Sequence, residues 1–98
     1  ARAALARAWH QAENARKRAE ILDGQLLPTA ESAFAAAEYG YRAGKFPLFD
    51  VLDAQRTLID LRQRRLAALI DGQQARIEIE RLLGRPLAAA TAKENDPS

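Results

Sequence analysis

From Leu48 to Leu83 the chain carries no proline and returns its large apolar residues at helical spacing. Leu52, Ile59 and Leu66 recur at sevens, and Ile70 and Ile77 continue that row after a step of four. A second row, made of Val51, Leu58 and, slightly out of phase, Leu61 and Leu69, lies to one side of the first. The spacing predicts one helix, a rod of about 50 Å at 1.5 Å per residue. Polar positions such as Gln55, Arg62 and Gln73 part its two apolar flanks. A helix of that kind suits a place between two neighbours in a wall better than a hairpin with a single seam.

Residues 2–27 contain no proline and are dense in Ala, Arg, Glu and Leu, which predicts a helix on propensity. Pro28 supplies no N–H and its ring crowds the carbonyl four residues back, with Gly24 adding to the weakness there. Beyond it, Glu31 to Tyr41 is again helical in composition, and few residues nearby suit a loop, so a kinked but continuous arm is expected. Gly44 stands where a helix ends in a left-handed residue and Pro47 where the next begins, and so short a link makes antiparallel neighbours. Gly84 and Pro86 close the second arm in the same order. The fold class is therefore all-α: a long antiparallel helical hairpin, with a kinked first helix over about 2–43 and a second over about 47–83. One hairpin segment fills 1–87, and 88–98, ending in Lys-Glu-Asn-Asp-Pro-Ser, is expected to be a disordered tail.

Composition sharpens this picture. Of the 98 residues 48% are apolar, but alanine supplies much of that share, so each buried position removes little surface from water. Two helices built this way do not enclose a core, and the chain is expected to need partners or to be part of something larger. Fifteen Lys and Arg against 13 Asp and Glu are interleaved along the sequence, which argues against a dedicated nucleic-acid surface. The runs Arg16-Lys17-Arg18 and Arg62, Arg64, Arg65 have Glu13, Glu20 and Asp60 in reach as ion-pair partners. No apolar run is long enough to span a bilayer as a helix.

Chemistry-bearing residues are few. His10 is the only histidine and there is no cysteine, so no metal-ligating set is expected. No nucleophile–base pair and no phosphate-cradling glycine loop is present, and neither an enzyme nor a cofactor is implied. Asp50 and Asp53 lie three apart at the start of the second helix. They either offset the positive end of the helix dipole or, in a symmetric oligomer, present a ring of negative charge that selects cations.

The stretch Tyr39 to Leu58, YGYRAGKFPLFDVLDAQRTL, carries a more specific signal. It resembles the tip motif of the TolC-like outer membrane efflux proteins, which Tyr41, Gly44 and the run Asp50-Val51-Leu52-Asp53-Ala54-Gln55 match in type and spacing. Ile79-Glu80-Arg81-Leu82-Leu83-Gly84 is similar to the close of the same repeat, and the Leu-Leu-Pro run ending at Pro28 resembles the heavy-metal efflux branch. The resemblance implies one periplasmic helical hairpin of a trimeric α-helical cylinder attached to the outer membrane. It implies a homotrimer working with a periplasmic adaptor and an inner-membrane pump, exporting small molecules or metal ions. Asp50, Asp53 and Tyr41 would then belong to the gate at the entrance, and Ala43, Gly44 and Lys45 to the tip that meets the adaptor. Where family members carry an arginine two residues after the glycine, this chain has Phe46, leaving Lys45 or Arg42 to supply that bond.

The rival expectation is a free-standing coiled-coil hairpin, a structural or interaction module with one seam of a and d positions. An isolated hairpin is also expected to pair its exposed apolar flanks with copies of itself.

Overall fold

The computed structural model of the chain describes residues 2–84; the expected tail over 88–98 and the Pro86 stop lie outside them. Three α-helices account for nearly all of the described residues: α1 (Arg2–Ile21), α2 (Leu27–Arg42) and α3 (Leu48–Leu83), with a π-helical turn (Leu22–Leu26) joining α1 to α2. No strand occurs among the described residues. The first arm is thus continuous from α1 to α2, as expected, and its interruption takes a definite form. The Leu27 N–H reaches the Leu22 carbonyl, five residues back. Pro28 stands in the first turn of α2, directly after the π turn. Widening the turn before it relieves the crowding of the ring against the preceding carbonyls.

Contacts divide the chain into two compact units. The turn unit (Arg18–Ala67) holds the π turn, α2 and the first half of α3. Its core is a cluster of Leu22, Leu27, Ala30 and Leu58, flanked by Phe34 and Leu61. Each leucine withdrawn from water contributes about 1.5–3 kcal/mol. Across the two arms the Arg65 Nε donates to the Asp23 carboxylate at 2.6 Å; both side chains are about half exposed, so the pair contributes roughly 0.2–1 kcal/mol.

The arm unit pairs residues 2–17 with residues 68–84. Here the seam is made of small residues: Ala8, Ala15, Ala68 and Ala75 are buried, Ala75 completely, and Ile79 is the one large side chain among them. A Cβ added at Gly72 would rest 3.6 Å from the Ala15 Cβ, which shows how closely the backbones approach. The Gln11 amide donates across the arms to the Asp71 carbonyl at 3.4 Å. Ion pairs within single helices, Glu13 with Arg16, Asp60 with Arg64 and Glu78 with Arg81, line the exposed faces as the charge spacing predicts.

The two apolar rows of α3 have different fates. Val51, Ala54, Leu58, Leu61 and Arg65 in the turn unit, and Ala68, Gly72, Ala75, Ile79 and Leu82 in the arm unit, form a covered row that alternates by three and four, with Asp71, Glu78 and Glu80 half-buried beside it in the arm unit. The other row, Leu52, Ile59 and Leu66 in one unit and Ile70 and Ile77 in the other, is exposed. Leu69 belongs with the exposed residues and not, as its spacing suggested, with the Leu58 row. One flank is therefore spent on the hairpin's own seam, and the second is open.

Candidate functional site

The link between α2 and α3 is a closed backbone structure. Gly44 takes a φ of 75°, a region that side chains with a Cβ resist. Its N–H donates to the Tyr41 carbonyl at 3.0 Å while the Lys45 N–H donates to the Gly40 carbonyl at 2.8 Å. These two bonds are the paired closure of a Schellman motif, and they satisfy carbonyls that a helix end otherwise leaves open. The Phe46 N–H adds a second bond to the Gly40 carbonyl at 3.2 Å. The Phe46 ring lies on Gly40 itself: a Cβ there would overlap ring carbons Cγ, Cδ2 and Cε2. Gly40 is buried for that reason. The Asp50 N–H, bonded to the Pro47 carbonyl at 3.1 Å, starts α3.

Around this frame the expected site residues take their places. Ala43, Gly44 and Lys45 form the exposed apex. Tyr41, in the last turn of α2, is about half exposed, whereas Tyr39 and Phe49 are 75% and 73% exposed. Asp50 lies in the first turn of α3 and Asp53 one turn later, both exposed. The fold thus brings Tyr41, Asp50 and Asp53 to one end of the hairpin, but no hydrogen bond or ion pair joins them among the described residues. Arg42 is held within its own helix by Glu38 at 3.2 Å. Arg42 is thus engaged by Glu38, while Lys45 is presented at the apex.

Sequence reading missed the Gly40–Phe46 contact. The signal was a glycine in a helix interior, which is less favourable there than alanine by about 1 kcal/mol and so implies something that needs the space. The site holds no metal-binding cluster among the described residues, and no described helix is long and apolar enough to cross a membrane. His10 is an exposed surface residue.

The tip thus combines a closed turn with exposed acidic and aromatic side chains, and α3 carries a covered row and an exposed apolar row. The outer membrane efflux protein family matches residues 1–85, and the chain belongs to that family. That family consists of transport components and not of enzymes. The cobalt-zinc-cadmium resistance protein CzcC of Cupriavidus metallidurans is 48% identical over 81 residues, covering 83% of this chain. The chain spans about a fifth (19%) of the length of that curated relative. No solved structure matches the chain significantly.

Proposed function

We propose that the chain is the periplasmic helical hairpin of an outer-membrane efflux channel, with its turn at the channel entrance. The observation that carries this reading is the family match over 1–85 together with the tip motif on a closed turn. The relative's designation as a cobalt-zinc-cadmium resistance protein favours metal ions as the exported class. In this reading the working assembly is a homotrimer that meets a periplasmic adaptor through Ala43, Gly44 and Lys45 and is served by an inner-membrane pump.

The surface is consistent with a place in a wall. Leu52, Ile59 and Leu66 project as an open apolar row on α3. Elsewhere on the turn unit a groove of about 700 Å³, bordered by Gly24, Leu26, Thr29, Ala33, Thr57 and Leu61, has room for bulky side chains of a neighbour. The same open row gives an isolated chain a route to self-association.

Asp50 and Asp53, repeated by symmetry, form an acidic ring at the entrance, and Tyr41 belongs to the network that closes it. Repulsion between the carboxylates and attraction for cations set the selectivity of such a ring. In the intact channel, Asp50→Ala with Asp53→Ala should relieve block by multivalent cations in single-channel recordings. Unchanged block would remove the two carboxylates from the gate.

A further inference from the structure

The covered residues of the first arm within the turn unit change phase at the π turn. Before it, Ala19 and Leu22 follow the three-and-four alternation. After it, Leu27, Ala30, Phe34 and Ala37 are covered, one position later than that alternation requires, and nearer the apex Glu38 and Gly40 are covered too, Gly40 beneath the Phe46 ring. An unbroken α-helix would have carried Leu26, Thr29, Ala33, Ala36 and Gly40 onto α3 instead. That second set also alternates by three and four, and every residue in it after Leu26 is small. α2 therefore owns two complete faces, one residue apart, and the extra residue held in the π turn selects between them. α3 offers no matching choice, since its covered positions in this unit, Val51, Ala54, Leu58, Leu61 and Arg65, alternate without a break.

We propose that α2 is a two-register helix, able to pack on α3 through either face, with the π turn as the joint and Phe46 as the latch. Three observations support this. The present register is favoured by Phe34, the one bulky aromatic between Leu27 and Ala37, whose counterpart on the other face is Ala33. The unused face borders the groove beside Leu26, Thr29 and Ala33, so there is space next to it. At the far end the Phe46 ring lies on Gly40, the last member of the unused face, and keeps that residue from α3. Passing the extra residue along α2 from the π turn to the apex turns the helix by about 100°. Sub-ångström shifts do not lead there, because packed seams have discrete arrangements. Under the channel reading this rotation would carry Tyr41 around the helix at the entrance. The register itself does not depend on that reading.

The chain has no cysteine, so single thiols report the register cleanly. Ala37→Cys places a thiol on the covered face and Ala36→Cys one on the open face. In the otherwise unaltered 98-residue chain, labelling by a maleimide should be fast at position 36 and slow at position 37. Moving the bulky residue by one position, with Ala33→Phe and Phe34→Ala together, should invert the order by roughly tenfold or more while helicity by circular dichroism is retained. Phe46→Ala, which leaves the seam untouched, should release the latch and shift both rates in the same opposed directions by a smaller factor. The proposal is overturned if neither background slows position 36 while it accelerates position 37. Parallel acceleration at both positions, which means loosening without exchange of faces, overturns it equally.

Discussion

The arm unit and the turn unit bring two helices together by different means. In the arm unit the seam is alanine and glycine, the backbones approach closely, and Ile79 is the one wholly buried large side chain among the described residues. In the turn unit leucines and Phe34 hold the helices, and the same chain tolerates an extra residue and a proline. A seam of small residues depends on unbroken phase, because a shift of one position replaces methyl contacts by gaps or clashes. A seam with bulkier members leaves grooves, and a groove can absorb an irregular turn. Regularity is thus demanded where packing is tight and relaxed where side chains are long.

The contrast is tested most severely at Ile79. Ile79→Ala removes the one fully buried large side chain among the described residues of the arm unit and should lower stability by about 2–4 kcal/mol. Urea denaturation followed by circular dichroism measures this, and a loss below that of Leu58→Ala would mean that the arm seam rests less on its large side chain than the turn unit rests on its leucine. Next comes Gly40→Ala in the turn unit, where the new methyl displaces the Phe46 ring at a cost of about 1–3 kcal/mol, partly offset by better helix propensity. The double variant with Phe46→Ala should recover most of that loss; independent, additive effects would mean that the ring does not occupy the space.

Gly72→Ala works in the opposite direction. Its methyl meets Ala15 at an ordinary contact distance, so the variant should gain about 1 kcal/mol, seen as a higher melting temperature. The smallest effect is expected at Glu13. A hydrogen bond from Arg16 lowers its pKa from the ordinary 4.5, opposed by desolvation and assisted by the charges of Arg16 and Lys17. A lowered folded-state pKa gives stability that is present above the unfolded value and lost as pH falls through the folded one. Glu13→Gln should therefore lower stability slightly at pH 7, where the bond to Arg16 is intact, and flatten the decline in helicity below about pH 4.5, so that the two chains converge in acid.

The sequence conveyed the fold wherever its signals are local. The period of α3, the glycine–proline punctuation at Gly44 and Pro47, and the antiparallel pairing were all readable from neighbouring residues. The π turn was not. Alanines on every side of the first arm blur the phase of its seam, and adjacent Leu26 and Leu27 support two phases equally well. Nor did the two rows of α3 reveal which would be covered, since that depends on the partner arm and not on α3. The positions of Asp50, Asp53 and Tyr41 at one end followed from spacing, whereas the seating of Phe46 on Gly40 required the turn's actual path.

The closed turn also bears on the order of assembly. Residues joined across the arms lie farther apart in sequence with distance from the apex: Asp23 and Arg65 by 42 positions, Gln11 and Asp71 by 60. Loop-closure entropy rises with that separation, so the Schellman turn is the least expensive place to begin. Folding is therefore expected to begin at the apex, with the turn formed in the transition state before the arm unit closes. Damage at Gly44 would then slow folding, whereas damage at Ile79 would chiefly hasten unfolding.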